Sequence, residues 1–164
     1  MKKKFIKFCK KNKFEQNINQ IEIISDLVKF FFPKKIFFNL FFKKNSKLCY
    51  YLYGNVGVGK TMLLNFFYDN LKVQKYKCHF NEFMINFHEY RHKNKDSNSI
   101  LSFVKKLKKK YDLIYLDEFQ VTNIVDAMIL GKLFEIIFAE NLKIIISTNT
   151  RLKELYKDGL QRDQ

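Results

Sequence analysis

Apolar side chains between residues 17 and 32 recur three and four positions apart, at Ile21, Ile24, Leu27, Val28 and Phe31, and this spacing predicts an amphipathic helix. The pattern then changes. Residues 48–53, LCYYLY, are a short apolar run that stops at Gly54, as a buried strand followed by a turn would. Helical spacing returns over 61–71, a second strand is expected at 77–80, and a further helix over 83–92. After a polar, loop-like stretch at 93–99, residues 100–110 place Leu101, Val104 and Leu107 on one face and lysines on the other, which predicts a helix with a solvated basic side. Two more apolar runs, 113–116 and 142–147, flank a long helical pattern over 124–138. Strands alternating with helices predict an α/β fold, a parallel sheet sandwiched by helices. With no internal repeat and no Gly/Ser linker, residues 17–164 read as one domain preceded by a basic arm at 1–16.

The strongest chemical signal follows the first strand. Gly54-Asn55-Val56-Gly57-Val58-Gly59-Lys60-Thr61 fits G-x-x-x-x-G-K-[ST], a phosphate-binding loop. A triphosphate needs several backbone N–H groups converging on it, and a glycine-rich turn lets the chain wrap that closely. The helix that follows presents its positive end to the phosphates. Lys60 supplies a cation at the β- and γ-phosphates, and Thr61 offers a hydroxyl to Mg2+. Only 5 glycines occur in the chain, and three stand in this octapeptide. ATP and Mg2+ are therefore the expected ligands.

Two further strand ends carry polar residues. Leu113-Ile114-Tyr115-Leu116 runs into Asp117-Glu118, and in a doubly wound sheet that end lies near the phosphates. Asp117 is expected to hold the Mg2+ hydration shell and Glu118 to orient and deprotonate the attacking water. Ile144-Ile145-Ile146 ends in Ser147-Thr148-Asn149, where Asn149 is placed to bond the γ-phosphate or the lytic water. Beyond it, Arg162 is a candidate to meet a neighbouring subunit's γ-phosphate, and a solvated arginine is the plainer reading of the same residue.

Composition modifies this picture little. The 31 basic against 16 acidic residues give a net charge of +15, which by itself points to an anionic partner. Only Arg91, Arg151 and Arg162 are arginines, however, and a dedicated nucleic-acid face would favour that side chain. The wealth of Lys, Asn, Ile and Phe with little Gly or Pro is the imprint of an A+T-rich genome. Nucleic acid is thus not the expected partner. Cys9, Cys49 and Cys78 are far apart and read as reduced, mostly buried thiols. The greasiest region, 30–42, is cut by Pro33, Lys34 and Lys35, short of the roughly 20 residues a membrane helix needs. The first fourteen residues lack both the apolar core of a secretory signal and the Arg and Ser of a transit peptide.

One motif competes. His88-Glu89-Tyr90-Arg91-His92 matches H-E-x-x-H, whose two histidines on one helix face can bind zinc with the glutamate as base. A third ligand is needed, and neither Asp96 nor Asp112 has a supporting pattern.

The stretches YLYGNVGVGKTMLLNFFY, LDEFQVTNIVDAMILGKLFE and STNTRLKELYKDGLQR together resemble the ZapE-like family of AAA+ ATPases and its mitochondrial lactation-elevated relatives. The middle stretch is the most specific, and the likeness runs from about residue 17 to the end. Gln20 falls where that family has a D-x-x-Q element near the adenine site, with Asn17 in place of the Asp; Asn65 and Asn123 also stand where it usually has Asp, and Asn81 where it has His. The resemblance implies an AAA+ fold, Mg-dependent ATP hydrolysis, a ring oligomer and a protein partner. It supports Asn149 as a sensor and Arg162, in GLQR, as an arginine finger. It also implies a role in cell division at the cytoplasmic face of the inner membrane, or in the mitochondrial matrix of a eukaryote. The family continues past GLQR into a fifth core strand and a helical lid, so the chain is expected to lack both. That leaves three alternatives to a working division ATPase: a nucleotide-binding remnant without turnover, a helicase-loader-like DNA-binding ATPase, and, most remotely, a zinc protease.

Overall fold

The computed structural model describes residues 1–33, 47–95 and 98–155. Four five- or six-residue strands, β1 (Cys49–Tyr53), β2 (Lys75–His79), β3 (Leu113–Asp117) and β4 (Lys143–Thr148), make one sheet in the order β1-β4-β3-β2. Every pairing is parallel, with Tyr51 opposite Ile146 and Ile114 opposite Ile144. Parallel strands need crossovers, and helices supply them: α3 (Lys60–Asp69), then α4 (Phe80–Lys93) with α5 (Ser99–Lys110), then α6 (Ile124–Ala139). Because helices cover both faces, β3 is buried along its whole length.

The two faces have separate cores. Ile114, Leu116, Ile144 and Ile146 point to α4, α5 and α6, where Phe80, Phe83, Phe87, Phe103, Leu133 and Ile137 meet them. Leu113, Tyr115 and Ile145 point the other way, onto α1 (Lys2–Lys11), α2 (Ile18–Phe31) and α3. Each fully buried Leu, Ile or Phe is worth roughly 1.5–3 kcal/mol, so these two layers carry the fold.

The N-terminal residues differ from expectation. Residues 2–11 are no basic arm but a helix, with Phe5 and Cys9 almost fully buried. Phe5 and Phe8 each bring a ring within 5.0 Å of Phe66 on α3. The apolar positions 5, 8 and 9 already had helical spacing, hidden among the lysines. The start of α4 also differs: it begins at Phe80, directly after β2, because Phe80, Phe83, Met84 and Phe87 form one buried stripe. Asn17 and Asn123 are helix caps. Their side chains accept hydrogen bonds from Asn19 N (2.9 Å) and Val125 N (2.8 Å), a role Asn fills as well as Asp. No helix among the described residues is long and apolar enough to cross a membrane.

Candidate active site

The turn after β1 builds the site's floor. Gly57 and Gly59 adopt φ of +82° and +83°, a conformation that costs any L side chain. At Gly59 an added Cβ would lie 2.9 Å from Nε2 of Gln20, the movable end of a flexible side chain, so the backbone conformation is what calls for glycine. That same Nε2 donates to the Val58 carbonyl (3.1 Å), so α2 braces the loop from outside. Gly59 caps α3, whose first residues, Lys60 and Thr61, line a pocket with Val56 and Gly57.

The opposite wall is made by the ends of β3 and β4: Asp117, Glu118, Ser147, Thr148 and Asn149. The structure thus brings together the loop, the acidic pair and Asn149, which lie far apart in sequence. Lys60 Nζ donates to the carbonyls of Gly54 and Asn55, both at 2.7 Å, and to Asn149 Oδ1 at 2.8 Å. Three oxygens therefore satisfy the ammonium where phosphate oxygens would otherwise serve. Gly54 N also donates to Thr148 O (3.3 Å), tying the loop's first residue to the β4 tip.

Asp117 is 3% exposed, and its Oδ1 accepts from the Ser147 hydroxyl in a short contact and from Glu118 N at 3.2 Å. Its Oδ2 faces the Lys77 ammonium at 3.8 Å. Lys77 in turn donates to Asn65 Oδ1 at 2.6 Å, which gives the Asn at that position a partner. Glu118 differs sharply from its neighbour. Its backbone is left-handed, with φ of +55°, and its carboxylate is open to the pocket with Oε2 3.5 Å from His79 Nδ1. A non-glycine residue held there is a strained position of the kind that collects at functional sites.

The donor set suits a hard cation. The Thr61 hydroxyl and the Asp117 carboxylate both line the pocket, and oxygen donors of this type hold Mg2+ together with phosphate and water. By contrast the H-E-x-x-H pair does not assemble. His88 Nε2 is engaged by Asp126 Oδ1 at 2.7 Å, His92 is exposed, and among the described residues no three His, Cys, Asp or Glu stand where they could share a metal. Among the described residues the zinc-protease alternative therefore has no ligand set, and Asp96 lies outside them. Arg162 lies outside the described residues.

Sequence reasoning passed over Ser147, His79, Lys77 and Tyr115. Strand parity was the available signal, since residues 115 and 117 of β3 must share a face, as must 145 and 147 of β4.

Known proteins resemble this chain in sequence and in fold. A family model described as AFG1-like ATPase matches residues 7–164. Lactation elevated protein 1 homolog B of Danio rerio is 41% identical over 126 residues, which cover 69% of this chain and 25% of that protein. Cell division protein ZapE of Escherichia coli K12 is 37% identical over 114 residues, 68% of this chain and 30% of that one. The chain thus spans about a quarter to a third of the length of these curated relatives. Among solved structures, domain III of the Thermotoga maritima replication initiation protein DnaA superposes with a TM-score of 0.59 at 18% identity, over 85% of this chain and 55% of that one. That likeness is one of fold, a parallel sheet flanked by helices.

Proposed function

This chain belongs to the AFG1-like ATPase family, and from that premise we propose that it binds Mg-ATP at the 54–61 loop and hydrolyses it. The observation that carries this reading is the convergence of the loop, Asp117, Glu118 and Asn149 on one pocket.

The chain's own groups divide the work. Backbone amides of residues 54–61, freed by Gly57 and Gly59, wrap the β-phosphate. Lys60 exchanges its three protein oxygens for phosphate oxygens and so anchors the β/γ bridge. Thr61 and Asp117 would hold Mg2+, which would supply positive charge to neutralise the triphosphate. Glu118, exposed and lining the same pocket as Asn149, accepts the proton of the attacking water, and Asn149 orients that water or the γ-phosphate. Gln20, against the outer side of the loop, contributes to the nucleotide's base end. Arg162 is the proposed finger toward a neighbouring subunit, which requires self-association of the chain.

The biological reading is that the ATPase acts on a protein partner in cell division, as the printed name of the Escherichia coli relative suggests. Titration with a fluorescent ATP analogue and measurement of phosphate release, each with and without Mg2+, test the core of the proposal. Saturable Mg-dependent binding that vanishes in Lys60→Ala is the expected result; its absence in the unaltered chain refutes the reading. Sedimentation with and without nucleotide tests self-association, and an unchanged monomer that turns over ATP at full rate removes the role given to Arg162.

A further inference from the structure

One buried polar atom is left over by the account above. Tyr115 sits in the middle of β3 on the face that carries Asp117, and is 1% exposed. Its ring is packed: the Lys77 ammonium stands 5.1 Å from the ring centre and Tyr68 lies 6.2 Å away. Its hydroxyl, however, has no hydrogen-bond partner among the described residues. A phenol buried without a partner is costly, and a phenylalanine would fill the same space without that cost.

The surroundings show what the hydroxyl is near. Asp117, Ser147 and Thr61 are its polar neighbours, and two of these are the proposed metal-holding residues. The Tyr115 hydroxyl can donate a hydrogen bond. Asp117 has an oxygen to receive it. Oδ1 is taken by Ser147 and by Glu118 N, while Oδ2 has the Lys77 ammonium at 3.8 Å, beyond hydrogen-bond length. A free donor and an under-used acceptor thus stand two residues apart on one face of one strand.

We propose that Tyr115 is a positioning residue for the metal end of this site, its hydroxyl donating to the Asp117 carboxylate in the Mg-nucleotide complex and holding that carboxylate toward the metal's water shell. The inference rests on the nucleotide reading above. Tyr115 touches no reacting atom; it acts through Asp117. The proposed bond would pair that hydroxyl, so part of the favourable free energy of Mg-nucleotide binding comes from this residue.

The test is Tyr115→Phe in the full chain, which keeps the ring and removes one oxygen. Affinity for a fluorescent ATP analogue is measured in EDTA and across a Mg2+ titration, and the melting temperature is measured without nucleotide. The expected result is an unchanged affinity in EDTA, a gain in affinity from Mg2+ reduced roughly tenfold, and a melting temperature equal to or above that of the unaltered chain. A Mg2+ gain equal to the unaltered protein's overturns the inference. So does a variant that melts lower and loses affinity equally with and without Mg2+, because the residue is then only packing. If the unaltered chain itself shows no saturable nucleotide affinity, the nucleotide reading fails and this inference with it.

Discussion

Lys60 Nζ stands 2.8 Å from Asn149 Oδ1, joining two residues 89 positions apart at the mouth of the pocket. The contact links the phosphate loop to the tip of β4. On the proposed reading nucleotide would compete for the same ammonium, and Asn149 would then respond to occupancy of the loop. Lys60→Ala removes the only side-chain cation of the loop and at least two charge-assisted bonds, so affinity for Mg-ATP should fall by roughly a hundredfold or more. Equilibrium titration measures this, and affinity within a few fold of the parent would contradict it.

Glu118→Gln should separate binding from chemistry. The side chain is exposed and bonds no phosphate-loop group in this structure, so affinity should stay within a few fold. Turnover should fall by about 10²–10⁴, the usual worth of a positioned general base. Phosphate release under saturating ATP checks it; a variant with near-normal turnover would remove Glu118 from the mechanism.

Two glycines should respond to alanine with opposite signs. Gly59→Ala puts an L side chain at a φ of +83°, and should cost at least about 1–2 kcal/mol of stability. Gly131→Ala, an exposed position on α6 with nothing within 4 Å of an added Cβ, should stabilise by roughly 0.5–1 kcal/mol through helix propensity. Denaturant melts of the two variants give the comparison, and like signs would refute the local account.

Alkaline pH should weaken the fold. Burial pushes the Cys49 and Cys78 thiols up from 9.0 to about 11. Between those values the unfolded chain ionises while the folded chain keeps its protons, so unfolding releases protons and stability falls as pH rises. Tyr76 and Tyr115, both raised chiefly by burial, extend the same trend, while Lys143, lowered by burial, opposes it. Melting temperature should therefore drop from pH 8.5 toward pH 11, with a shallower slope when both cysteines are replaced by serine. A profile that rises over this range would show that other groups dominate.

Local chemistry made much of this protein legible before any coordinates. Residues 54–59 form a loop because Gly57 and Gly59 permit left-handed backbone, and the adjoining apolar runs are strands and helices because their periods differ. The acidic pair was readable for the same reason: an apolar run that ends in two carboxylates leaves them at a strand's carboxyl end. The helix at 2–11 was obscured because lysines outnumber the three residues that dock it, and docking is a tertiary event.

What the sequence determined alone was the set of short-range choices: periodicity, caps, turn glycines and the presence of a phosphate loop. What only the tertiary structure decided was the company each residue keeps. The order β1-β4-β3-β2 places Asn149 against Lys60 and Ser147 against Asp117, and strand parity puts Tyr115, whose hydroxyl has no partner among the described residues, on the face that carries Asp117. Hydrogen bonds and charge act over a few ångströms of space, and no spacing along the chain measures that distance.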